Sequence, residues 1–400
     1  MNETAKAHGP DISRPTRILL VNNSADLYGA SRCLARILLK LDRDKFLPTV
    51  MLPDHGPLEH VVRAMNIQVI IFPKLSVISR SVFTPWKLFL LLVRLPLSIL
   101  SFSYLLKRLR IDLVHTNTGV ILTPGPAAFL VGVPNVWHIR DSFQEFRGMW
   151  KFYEIFIRVF STRILAVSKC IADQFPSQNR VTIVHDGLEV EEFQDPFRLE
   201  NRLNFRRHYS LGDGPVVGCV GRIKLLRKGQ EFLLRAAGML RRRNIRAKYL
   251  IVGAPFEGNE THLDQLHAVV RENELGDDVV FTGELSDPRS AYAAMDILVL
   301  PSAQSEPFGG VVTEAMLTGL PVIATNAGGP VEQVVDGETG FLVTPGDAEA
   351  IAEKLEVLLG NADMRKRLGE AGCERAVKLF SLRRTLDQIE ATYEECLRQK

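Results

Sequence analysis

The chain has 400 residues, enough for two or three domains, and 46% of them are hydrophobic, which is ample for buried cores. Its formal net charge of +3 is too small to argue for nucleic acid as a partner. Five cysteines (Cys33, Cys170, Cys219, Cys373, Cys396) are odd in number, far apart and form no C-x-x-C pair. Reduced thiols in a cytoplasmic protein fit that pattern better than a disulfide framework.

The opening MNETAKAHGPDISRP is polar and lacks the apolar core of a signal peptide, so a short disordered leader is expected and secretion is not. Strand-like apolar runs then alternate with helix-length segments: 17–21, 46–52, 68–72, 112–115, 135–138, 163–167 and 181–184. A second series follows at 216–220, 249–253, 279–281, 297–300, 322–324 and 340–343. This alternation predicts parallel α/β architecture in two doubly wound domains. Residues 189–214 are charged and weakly patterned, and the hinge is expected there; residues 381–400 predict one helix.

Within the first half, residues 61–111 contain no acid, while Arg63, Lys74, Arg80, Lys87, Arg94, Lys107, Arg108 and Arg110 accumulate. The apolar part of this run, 86–106, carries Lys87, Arg94, Ser98, Ser101 and Arg108 near one helical face. Two readings stay open: an amphipathic element over 80–110 resting on an anionic bilayer, or ordinary helices covering the first sheet. Lys87, Arg94 and Pro96 interrupt it as a membrane span.

The richest stretch is 305–343. Glu306 and Glu314 stand eight positions apart, and apolar residues from Val311 mark a helix opening after Gly309-Gly310. Backbone N–H groups at a helix N-terminus suit a phosphate, and carboxylates accept hydrogen bonds from hydroxyls, so a nucleotide-sugar would satisfy both. Upstream, Gly221-Arg222-Ile223-Lys224-Leu225-Leu226-Arg227-Lys228-Gly229 leaves the carboxyl end of a strand, where α/β sheets place ligands. Arg222 offers a planar fork and Lys228 a point charge to phosphate oxygens. No histidine or cysteine cluster has metal spacing, so no metal is expected.

The ordered series Glu306-Pro307-Phe308-Gly309-Gly310, Glu314-Ala315, Gly319-Leu320-Pro321, Gly328-Gly329-Pro330 and Gly337-Glu338-Thr339-Gly340 resembles the donor-site signature of retaining glycosyltransferase family four, the glycosyl transferases group 1. The resemblance implies a GT-B fold, two Rossmann-like domains facing across a cleft that closes when donor binds. It implies an N-terminal acceptor-side domain (1–188), a C-terminal nucleotide-sugar domain (189–380), and a last helix (381–400) crossing back onto the first. Arg222 and Lys228 would hold the donor diphosphate, Glu314 the ribose hydroxyls, and Glu306 the donor sugar near its reacting end. Phe308, Gly309 and Gly310 would offer backbone amides, and Thr282 lies in the strand and loop expected to meet the base.

In the first half, Tyr28-Gly29-Ala30 resembles the family's glycine-rich loop, with Gly29 the residue for close contact; Tyr28 and Ser31 depart from the usual pattern. His138 stands where the family often places a histidine beside the donor sugar; the alternative is a histidine held inside the fold. The implied activity is transfer of a hexose-type sugar, with retention and without metal, from a nucleotide-diphosphate donor to a glycan or lipid-linked acceptor, in polysaccharide biosynthesis. No cofactor is expected beyond that co-substrate, and the protein is expected in the cytoplasm or peripheral on the inner face of the cell membrane. A GT-B sugar-nucleotide epimerase and a non-catalytic GT-B glycan-binding scaffold remain alternatives. A nicotinamide-dependent oxidoreductase is disfavoured, because neither half carries G-x-G-x-x-G after its first strand.

Overall fold

A computed structural model describes residues 14–78, 84–143, 150–194, 198–256 and 258–399. The expected leader, through residue 13, lies outside the described residues, as does Arg80 of the basic run. The chain forms two units, one of residues 1–187 and 382–400, the other of Leu188–Ser381.

In the first unit the apolar runs become β1 (Thr16–Val21), β2 (Phe46–Leu52), β3 (Gln68–Ile71), β4 (Leu113–Thr116), β5 (Asn135–Ile139), β6 (Arg163–Ala166) and β7 (Val181–Ile183). All pair in parallel, in the order β3-β2-β1-β4-β5-β6-β7. Between them run α1 (Gly29–Lys40), α2 (Pro57–Ala64), α3 (Pro85–Leu109), α4 (Pro124–Val131), α5 (Trp150–Val159) and α6 (Lys169–Ala172). The second unit repeats the plan with β8 (Val216–Val220), β9 (Lys248–Val252), β10 (Val279–Gly283), β11 (Ile297–Leu300), β12 (Val322–Thr325) and β13 (Gly340–Val343), ordered β10-β9-β8-β11-β12-β13. Its helices are α7 (Arg198–His208), α8 (Gln230–Arg242), α9 (Thr261–Glu272), α10 (Arg289–Ala294), α11 (Gly310–Leu317), α12 (Pro330–Gln333), α13 (Ala348–Leu359) and α14 (Ala362–Leu379). In each sheet the order reverses beside the first strand, the position at which doubly wound sheets open a crevice at the carboxyl ends.

Strands buried on both faces are mostly apolar, and β4, β5, β11 and β12 are buried along their whole length. The last helix, α15 (Leu382–Arg398), belongs to the first unit. Its Leu382, Leu386, Ile389, Tyr393 and Cys396 join α1, α2 and the strands in one core, while α3 and α4 supply Phe102, Leu106, Ala127 and Ala128 to a second core.

Two expectations need correction. The stretch 189–214 is no linker: it lies in the second unit and contains α7, which has little apolar face and is held by arginine forks. Arg202 and Arg206 each reach Asp296 at 2.7 Å and donate to the carbonyls of Ala293, Ala294 and Met295. The second correction concerns α3, a single helix through Pro96 whose segment 86–109 is long and apolar enough to cross a membrane. Ser98, expected on an outer polar face, is buried and bonded to the Lys74 carbonyl and the Thr123 hydroxyl. The outward stripe is instead Trp86, Phe89, Val93, Leu97, Leu100 and Tyr104, with Trp86 68% and Leu97 64% exposed.

Candidate active site

In the second unit the loop after β8 meets the loop after β11. Their approach depends on Gly229, which has φ +71°; a Cβ there would lie 1.9 Å from the Pro301 carbonyl oxygen. That contact brings Lys228 to Glu306, Nζ to Oε1 at 2.7 Å, and the Ser302 hydroxyl donates to the same oxygen at 2.6 Å. From the other side Gly328 packs so closely that a Cβ would fall 2.1 Å from the Glu306 carbonyl oxygen, and the Gly329 amide donates to that carbonyl at 2.8 Å. The main chain of Glu306 is therefore fixed by Gly328 and Gly329, and its carboxylate by a cation and a hydroxyl. Burial pushes its pKa up, but the Lys228 charge and the two hydrogen bonds outweigh burial and hold it below the ordinary value of 4.5. Glu306 is buried and ionised, while the Lys228 side chain remains 30% exposed.

Three residues on, Gly309 caps α11 with φ +86°, and Gly310 opens the helix with open space where a side chain would be. Glu314, one turn further, accepts the Tyr292 hydroxyl of α10 at 2.7 Å. The Phe308 ring turns inward against Phe380, edge to face at 5.9 Å, so its side chain serves packing and only its backbone lies along the loop. Arg222 sits over the Phe256 ring at 4.8 Å, and Gln230 donates to the Arg222 carbonyl. Thr282 ends β10, its hydroxyl on the Gly283 carbonyl. Arg222, Lys228, Glu306, Phe308, Gly309, Gly310 and Thr282 thus all stand on or just beyond strand carboxyl ends of this one unit. Lys228 and Glu306 are in direct contact.

In the first unit, Gly29 opens α1, and a Cβ added there would meet nothing within 4 Å. The His138 ring is fully buried in β5, 5.4 Å from the His115 ring, whose Nδ1 is bonded to the Tyr393 hydroxyl at 2.7 Å. Neither ring nitrogen of His138 has a hydrogen-bond partner among the described residues. Burial, with the Arg140 charge added, drives His138 well below its usual value and His115 to about 3.

The chain matches the family description "Glycosyl transferases group 1" over residues 201–375 and "Glycosyltransferase Family 4" over residues 28–192. The capsular polysaccharide biosynthesis glycosyltransferase CapM of Staphylococcus aureus is 31% identical over 289 residues, 68% of this chain and 73% of that protein. The chain belongs to glycosyltransferase family 4. A further relative, the sulfoquinovosyl transferase SQD2 of Arabidopsis thaliana, is 30% identical over 294 residues, and there the match spans 54% of the relative's length. Among solved structures, Anabaena HepE in complex with UDP and glucose superposes with a TM-score of 0.80 at 24% identity, covering 94% of this chain and 99% of that one. WaaG, a glycosyltransferase of lipopolysaccharide biosynthesis, gives 0.66 at 18% identity over 93% and 99%. The fold of this family 4 glycosyltransferase is accordingly GT-B.

One feature of the enzyme escaped sequence reasoning. Arg140, 9% exposed, donates from Nε and Nη2 to the Asp186 carboxylate and from Nη1 to both the backbone and side-chain oxygens of Asn117. Its partners lie 46 and 23 positions away, so no local motif marks them. The available signal was the polar residues Asn117, Arg140 and Asp186 each closing a buried apolar run, where a charge has no reason to be without a partner. A cavity of about 450 Å3 in the first unit, bounded by Phe129, Asn135, Val159 and Arg163, holds none of the residues expected to act.

Proposed function

We propose that this glycosyltransferase moves a hexose-type sugar from a nucleotide-diphosphate donor to a glycan or lipid-linked acceptor, with retention of anomeric configuration and without a metal. The observation that carries this reading is the Lys228–Glu306 pair beside the α11 N-terminus. A fixed cation, a helix N-terminus and a fork at Arg222 present positive charge where a leaving diphosphate gains negative charge. Glu306 orients the sugar hydroxyls, and Glu314, already a hydrogen-bond acceptor, takes the ribose hydroxyls. The backbone of Phe308, Gly309 and Gly310 approaches the sugar and phosphates. Thr282 borders the base. A relative named as a GDP-mannose-dependent mannosyltransferase, 34% identical over 195 residues, supports a nucleotide-sugar donor.

The acceptor reading draws on α3. Its outward apolar stripe, with Lys87, Arg94, Lys107, Arg108 and Arg110 and no acid between 61 and 111, suits the surface of an anionic bilayer. On this reading the enzyme works peripherally on the inner face of the cell membrane with a lipid-linked glycan as acceptor. The test of donor chemistry is a panel of UDP-, GDP-, ADP- and dTDP-sugars, read by thermal stabilisation and then by turnover. Stabilisation of wild type by one class, reduced in Lys228→Ala and Arg222→Ala, is the expected result; equal response of all three proteins rejects the assignment.

A further inference from the structure

Arg140 does more than neutralise Asp186. Asn117, which it grips, donates from Nδ2 to the Asn22 side-chain oxygen at 2.8 Å and to the Ala30 carbonyl at 3.1 Å. Asn22 passes the chain on, donating to the Ser31 hydroxyl at 3.0 Å and to the Ser24 carbonyl at 2.8 Å. Ser31 donates to Asp26, whose Oδ1 also accepts the Tyr28 amide at 2.9 Å. A path of hydrogen bonds therefore runs from β5 through the end of β4 and the end of β1 to the turn that opens α1. Asn22 and Asn117 are fully buried, so each lost partner leaves a polar group stranded in the interior.

At its other end the path reaches Asp186, next to the point where the chain leaves the first unit after Gly187. There the Gly187 amide donates to the Thr385 hydroxyl at 2.9 Å, and that hydroxyl donates to the His185 carbonyl at 2.8 Å, so α15 holds the exit segment in place. Arg140 is bonded both to this exit segment, at Asp186, and to the path that ends at the turn before Gly29. Its planar fork fixes two directions at once, which a lysine point charge does not do.

We propose that Arg140 is a positioning residue for sugar transfer: its fork sets the conformation of the turn 26–29, and that conformation limits turnover. Loss of turnover presupposes the glycosyl transfer proposed above; the state of the turn does not. The experiment compares wild type, Arg140→Lys and Asn117→Ala by hydrogen exchange across residues 24–32 and by turnover with the donor found in the panel. UDP and GDP affinity serves as a readout of the second unit. Expected are about tenfold faster exchange across the turn and a kcat lowered about 10- to 100-fold, as misplacement of a positioning element costs, with nucleotide affinity unchanged. Exchange equal to wild type across the turn, or turnover within twofold of wild type, overturns the proposal. Asn117→Ala keeps the buried ion pair and tests the same path if Arg140→Lys does not fold. A wild type that binds no nucleotide defeats the proposed function and leaves the exchange result to stand by itself.

Discussion

The two units share a winding order, yet they use the charged groups at their strand ends in opposite ways. In the first, Arg140 and Asp186 are enclosed, and the arginine's bonds are turned onto Asp186 and Asn117. In the second, Lys228 meets Glu306 with part of the lysine still open to solvent, beside a helix N-terminus that leaves open space at Gly310. A fork whose donors are occupied rigidifies its surroundings, whereas an accessible point charge can exchange its partner for a phosphate. The same topology thus yields an enclosed fork in one unit and a partly open ion pair in the other.

The sharpest way to break this comparison is to remove the accessible pair. Lys228→Ala and Glu306→Ala are each expected to lower kcat by about 10²–10³, as loss of one preorganised electrostatic group does, with the fold retained by circular dichroism. Activity near wild type in both variants would move the site elsewhere. Next in size is Gly229→Ala, which forces a Cβ into the Pro301 carbonyl and separates the two loops. Turnover should fall with a lowered melting temperature, and an unchanged melting temperature would show that the loops do not meet as described.

The outer faces sharpen the contrast further. Replacing Trp86, Phe89 and Leu97 by Ser is expected to weaken sedimentation with phosphatidylglycerol vesicles about tenfold or more for each replacement, given roughly 1.5–3 kcal/mol for each large side chain that leaves the bilayer, and salt should weaken binding of the parent protein. Vesicle binding that ignores all three replacements would assign α3 a purely internal role. The smallest effect is on acid stability. His115 and His138 are held neutral by burial, so the unfolded chain binds protons that the folded chain refuses as pH falls below 6.5. Stability should be full above that pH and decline toward about 3, by up to about 1.4 kcal/mol per pH unit for each histidine. Urea midpoints that stay flat between pH 7 and 5 would contradict it.

Much of this was legible in the sequence because strands buried on both faces are mostly apolar, and each run appears as a strand. The loops around Glu306 were legible because Gly229 and Gly328 mark close backbone approaches, and Gly309 a left-handed turn, that favour glycine. The rest was hidden for physical reasons. Helix α3 is apolar on nearly every side, so periodicity does not say which stripe faces the core; packing against α4 decides it. Helix α7 reads as a hinge in the sequence because Arg202 and Arg206 hold it through Asp296, where an apolar face would ordinarily do so. Arg140 stayed unseen because its partners are distant in the chain and near only after the sheet forms.

That α15 completes the first core has a consequence for biosynthesis. Leu386, Ile389 and Tyr393 leave the ribosome only after all of Leu188–Ser381 has been made, which takes roughly 10–40 s at ordinary elongation rates. Throughout that interval the nascent N-terminal sheet lacks the helix that seals one of its sides, whereas the intervening unit has every residue it needs as soon as the interval ends. The part made first is therefore the part finished last, and it is the nascent N-terminal half that chaperones would have to shield.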